Sequence, residues 1–116
     1  MNKVAVSLLF VASLSCTAAM AKPLNLEVYN PQDNGIFAVS STLITGSTEA
    51  MLVDSQFSVK DGEQLVKMIK ASGKKLKAVL ITSGDPDFYF GLEPVVKAFP
   101  DAKILATSEV VKHINQ

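Results

Sequence analysis

The chain reads as a mixed α/β (α+β) domain, one sheet layered with helices. Three observations predict this. Short alternating or β-branched stretches with tight connections fill residues 24–54. Two stretches of helical periodicity follow, and continuous apolar runs fall after each of them.

Leu24, Leu26 and Val28 alternate with Asn25, Glu27 and Tyr29, the period of a half-buried strand. Pro31-Gln32-Asp33-Asn34-Gly35 reads as a turn. Residues 36–45 are rich in β-branched side chains and predict a second strand, broken by Gly46-Ser47-Thr48. Ala50-Met51-Leu52-Val53 resumes as a third, ending at Asp54, so the beginning is expected to be an antiparallel meander. Leu65, Met68, Ile69 and Ser72 then fall at i, i+3, i+4 and i+7, one buried stripe of a helix. Ser58 is placed to cap its start, Asp61 and Glu63 favour its first turn, and Gly73 suits its C-terminal cap. Ala78-Val79-Leu80-Ile81 is a continuous apolar run, expected of a strand covered on both faces. A second helix carries Leu92, Val95, Val96 and Phe99, with Pro94 in its first turn and Pro100 ending it. Ile104-Leu105-Ala106 predicts another buried strand, and Thr107 caps a last helix with Val110, Val111 and Ile114.

The first residues carry an address rather than a fold. Lys3 precedes an apolar run, residues 4–14, that is too short for a bilayer crossing of about 20 residues. Ala19-Met20-Ala21 offers the small residues that a signal peptidase reads. Residues 1–21 are therefore expected to be a signal peptide and residues 22–116 the mature domain, periplasmic or secreted. Cys16 lacks the large apolar residue expected three positions upstream of a lipidated cysteine, and falls in the discarded peptide. No cysteine remains after residue 21 to form a disulfide. The mature part has ten lysines, eleven acidic residues and no arginine. Arginine supplies most bidentate phosphate and base contacts, so this near-neutral chain is a poor candidate for nucleic acid, and neither nucleic acid nor, once the leader is removed, a membrane is expected as a partner.

Chemistry is expected beyond the carboxyl ends of the strands, where open α/β sheets place their ligands. The loop there is Thr82-Ser83-Gly84-Asp85-Pro86-Asp87-Phe88-Tyr89-Phe90-Gly91. Asp85 and Asp87, two residues apart and stiffened by Pro86, can converge on a hard cation such as Mg²⁺ or Mn²⁺. The competing reading makes them turn and cap residues that accept backbone N–H bonds.

A buried strand ending in threonine, a glycine-spaced acidic loop and then Tyr89-Phe90-Gly91-Leu92-Glu93 resemble the metallo-β-lactamase superfamily. Leu52-Val53-Asp54, the early hairpins and the later Ala98-Phe99-Pro100-Asp101-Ala102-Lys103 stretch share in that resemblance. It implies the N-terminal half of an αββα sandwich, a mixed sheet with helices on one face. It also implies a His-x-His-x-Asp-His zinc motif in the acidic loop, whose metal-bound hydroxide attacks an ester, amide, thioester or lactone carbonyl. Here the first histidine falls on Ser83, the second on Asp85 and the last on Phe88, and only the aspartate is kept, as Asp87. The expected metal residues are thus Asp85 and Asp87, with Asp54 and Ser83 supporting them from behind, and no catalytic residue is assigned. The metal would be zinc by family resemblance, or Mg²⁺ or Mn²⁺ by ligand type.

The family's other ligands lie in its second half, and His113, the only histidine, matches none of their positions. This chain is expected to be exported, truncated and inactive by itself. The alternative is a hydrolase completed by a second half. With one sheet face unpartnered, it is expected to pair as a homodimer or with a separate C-terminal half. Phe88-Tyr89-Phe90 is read as core packing behind the loop rather than a substrate pocket. Lys70, Lys74, Lys75 and Lys77 are read as favouring a helix end and solubility.

Overall fold

A computed structural model describes residues 12–13 and 22–116. The cleavage site, Cys16 and most of the leader's apolar run lie outside the described residues. From residue 25 the order is β1 (Asn25–Tyr29), β2 (Ser41–Thr45), β3 (Glu49–Val53), α1 (Val59–Ser72), β4 (Lys75–Ile81), α2 (Leu92–Ala98), β5 (Lys103–Ala106) and α3 (Ser108–Ile114). The strands form one sheet in sequential order, β1-β2-β3-β4-β5. The β1–β2 and β2–β3 pairs are antiparallel, while β3–β4 and β4–β5 are parallel. The topology follows from the connections. Gly46-Ser47-Thr48 is a turn, closed by the Gly46 N–H donating to Glu49 O (2.8 Å). The two parallel neighbours need a crossover, and α1 and α2 supply it.

The helix ends form where their capping residues stand. Ser58 Oγ accepts from the Asp61 N–H (3.0 Å), satisfying one orphan donor of α1. Gly73 closes α1 in the left-handed conformation, φ 68°. Thr107 Oγ1 accepts from the Val110 N–H (3.3 Å) to start α3.

The core lies on one face of the sheet. Cross-strand register puts Leu43, Leu52 and Val79 in one row. All three are fully buried together with Leu65 and Ile69 of α1 and Val95 of α2. Tyr89, Phe99 and Val110 pack partly buried against that cluster.

Four expectations change. Residues 36–40 are loop, not strand; β2 begins at Ser41. Side chains rather than a strand partner meet their carbonyls: Asn30 Nδ2 donates to Ala38 O (3.1 Å) and Gln56 Nε2 to Val39 O (2.8 Å). β1 is exposed along its length except for half-buried Tyr29, because Leu26 and Val28 point away from the helices. In β4 Ala78, Val79 and Ile81 are buried and Leu80 half-buried, as expected, whereas Ile104 and Leu105 of β5 are exposed rather than buried. The outer positions Val96, Val111 and Ile114 of the two later helices are exposed as well.

Candidate metal centre at the motif loop

The loop of residues 82–91 leaves β4 at its carboxyl end and is tied at both ends to the segment that follows β3. At its start, Asp54 Oδ1 accepts from the Thr82 N–H (2.8 Å) and Oδ2 from the Thr82 hydroxyl (2.6 Å). Asp54 is buried and sits at φ 62°, a left-handed conformation that aspartate tolerates better than most residues. At the loop's end, the Ser55 N–H donates to Phe88 O (2.8 Å) and the Gly91 N–H to Gln56 O (2.8 Å). Gln56, at φ 70°, is buried, and its side-chain amide donates to Val39 O and to Ser41 Oγ (2.9 Å). One short segment, residues 54–56, therefore clamps the motif loop and the residues before β2 together.

Close backbone approach completes the clamp. A Cβ on Gly91 would run into the carbonyl oxygens of Ser55 and Ser58, and a Cβ on Gly62 into Gly91 O. Only glycine lets the first turn of α1 lie against the loop.

Inside the loop, Pro86–Phe88 make a single 3-10 turn. Ser83 Oγ accepts from the Asp85 N–H (3.1 Å), and Asp85 O from the Phe88 N–H (3.1 Å). Ser83 thus serves the loop's own backbone. The Asp85 side chain is exposed and that of Asp87 half-buried. His113 matches no ligand position of the family in the sequence, yet α3 brings it to the motif loop. Its ring covers Gly84, where an added Cβ would lie 2.5 Å from Cγ, and its Nε2 stands 3.9 Å from Asp85 Oδ1. No local pattern around residue 113 announces this, since it depends on how α3 packs. The aromatic run divides: Tyr89 packs toward the core, whereas Phe90 is exposed, stacking on Phe57 (5.5 Å, 18°), which meets Phe37 edge-on (5.1 Å, 86°).

The fold and its matches now speak together. Residues 34–116, well over half of the chain, match the metallo-beta-lactamase superfamily. The chain belongs to that superfamily. Solved metallo-beta-lactamases share its fold. DIM-1 superposes with a TM-score of 0.59 at 20% identity, covering 83% of this chain and 43% of that one. FIM-1 from Pseudomonas aeruginosa, in its mono-zinc form, gives 0.60 at 13% identity, with 80% and 41% covered. BLEG-1, a B3 enzyme, gives 0.58 at 20% identity, with 73% and 38%. The chain spans about two-fifths of the length of these metallo-beta-lactamases. No curated protein matches it.

Zinc fits this superfamily member's loop poorly. Among the described residues no three His, Cys, Asp or Glu side chains gather as a metal-holding group. Nor is any buried side-chain nitrogen or oxygen left without a hydrogen-bond partner there. The buried polar atoms of residues 54–56 are directed at the protein itself. A zinc shell of four nitrogen, sulfur or oxygen ligands has only two exposed or half-exposed carboxylates and one histidine on which to build.

Proposed function

We propose that this chain is an exported metallo-β-lactamase-fold module that does not hydrolyse substrates by itself. The observation that carries the reading is the ligand set: Ser83, Asp85 and Phe88 stand where the family places imidazoles. Phe88 has no donor atom, and Ser83 Oγ is engaged with the Asp85 backbone. Asp85 and Asp87 are left as weak sites for Mg²⁺ or Mn²⁺, with Asp54 holding the loop behind them. Metal content after dialysis, followed by turnover of nitrocefin and simple esters, tests this. Neither stoichiometric zinc nor turnover is expected. Bound zinc with activity abolished by Asp87→Ala overturns the proposal.

Export is supported by Lys3, the apolar run and Ala19-Met20-Ala21. Among the described residues no helix is long and apolar enough to cross a membrane. Intact mass of secreted material should begin at Lys22, and retention of residues 1–21 or a lipid on Cys16 would refute this.

A second reading, favoured by the coverage of about two-fifths of each solved relative, is a hydrolase of ester, amide, thioester or lactone substrates completed by a second half. Co-expression with such a half should then create zinc-dependent turnover.

A further inference from the structure

On the side away from the sheet, α1 and α2 enclose a groove. Glu63, Val66, Lys67 and Lys70 of α1 line one wall. They fall at i, i+3, i+4 and i+7, a single stripe of that helix, while Leu65 and Ile69 enter the core. Pro94, Lys97 and Ala98 of α2 supply the opposite wall at the same helical spacing. Gly62, which leaves room for Pro94 and for the Gly91 carbonyl, brings the two helices together beside it. The groove holds about 370 Å³, within the range of small-ligand sites, about 300–1,000 Å³.

Its chemistry is divided by depth. Val66, Pro94 and Ala98 are half-buried and form an apolar floor, whereas the three lysines and Glu63 are exposed along the rim. The lysine stems add methylene groups to the walls and carry their ammonium groups to the top. Three cations against one anion leave a local surplus of positive charge in a chain of formal net charge +0. Among the described residues none of the three lysines forms an ion pair. Attraction to helix C-terminal carbonyls accounts for Lys70 and Lys97, which stand in last turns, but not for Lys67 or for the apolar floor.

We propose that this groove binds a small organic monoanion with an apolar body, a medium-chain carboxylate. Its chain lies along Val66, Pro94 and Ala98, and its carboxylate sits among the three ammonium groups. Size and charge select this occupant. Seven residues line the groove, whereas a specific protein partner is held by about 20–30 on each side. Positive charge over an apolar floor favours an anion that carries its own apolar surface, since a purely ionic or purely apolar ligand makes half of the contacts. The inference is independent of what covers the sheet's other face and of any metal at the motif loop.

Titration of the full chain with octanoate, below its micelle concentration and followed by amide and methyl NMR shifts, tests it. Saturable binding is expected, with a dissociation constant of about 1 mM and shifts gathered at Val66, Lys67 and Ala98. Octanol, which lacks the charge, and acetate, which lacks the chain, should each bind about tenfold more weakly. Lys67→Gln and Lys97→Gln should each weaken octanoate about two- to fivefold, the worth of an exposed ion pair. Both positions are exposed, and circular dichroism checks that the variants fold. Leu26→Gln, on the exposed side of β1, should leave the affinity unchanged. Octanoate binding that survives both lysine substitutions, or that Leu26→Gln abolishes, places the ligand elsewhere and overturns the proposal. So does the absence of saturable shifts up to about 20 mM. Binding of anionic vesicles or of an acidic peptide, with none of octanoate, overturns it equally.

Discussion

Asp54 shows how a single side chain can hold a loop. Both carboxylate oxygens accept from Thr82, and the residue occupies the left-handed region, where a bulkier side chain is strained. Asp54→Ala should lower stability by about 2 kcal/mol in urea unfolding, through two lost charge-assisted bonds and an unfavourable φ. Asp54→Asn keeps an acceptor and tolerates the conformation, so it should lose less. Equal losses from the two variants would contradict this account. Gly62 is held to its identity by sterics alone. A Cβ there meets Gly91 O and also Pro94 Cγ at 2.8 Å. Gly62→Ala should therefore destabilise by about 1–3 kcal/mol, the cost of overpacking, although alanine is the better helix former. An unchanged or raised unfolding midpoint would show that the loop can move aside.

At the scale of elements, the start of α1 is bound to the edge strand. Tyr29 of β1 donates its hydroxyl hydrogen to Asp61 Oδ1 (2.8 Å), while the Ser58 hydroxyl donates to Asp61 Oδ2 (2.7 Å). Burial, then the hydrogen bond and the negative charge of Asp61, push the Tyr29 pKa up from 10.0 to about 12. Below pH 10 the phenol is neutral whether the chain is folded or not, and its contribution is fully present. Between pH 10 and 12 the unfolded chain releases that proton first, so stability falls as pH rises. Tyr29→Phe should flatten the loss in this window, measured by urea midpoints from pH 9 to 12. A slope unchanged by the substitution would assign the loss to other groups. Ser58→Ala should cost about 1 kcal/mol as a lost N-cap. The caps at Ser58, Gly73 and Thr107 were legible in the sequence because capping is local: one side chain or one glycine meets groups two or three residues away. Residues 36–40 were not, because the partners of their carbonyls are Asn30 and Gln56, the latter 17 positions on from Val39.

For the whole molecule, burial is asymmetric. Among the described residues every fully buried large apolar side chain belongs to the cluster between the sheet and the helices, while the apolar side of β1 faces outward. Leu52→Ala should cost about 2–5 kcal/mol, since a packed core leaves a cavity. Leu26→Ala, at an exposed position of β1, should change stability by under about 0.5 kcal/mol. Comparable losses at the two positions would mean that both faces of the sheet are covered.

By itself the sequence determined the order and kind of the elements, the caps, the family and the departures at Ser83, Asp85 and Phe88. All of these rest on short-range periodicity or on residue identity. Tertiary structure decided which face of each strand is covered. Apolar alternation marks two faces but cannot say that helices pack on the Leu43 side alone. It also decided that residues 54–56 clamp the motif loop and that His113 lies over Gly84. Those contacts join positions roughly thirty residues apart, and only the packing of β3 beside β4 and of α3 against the sheet brings them together.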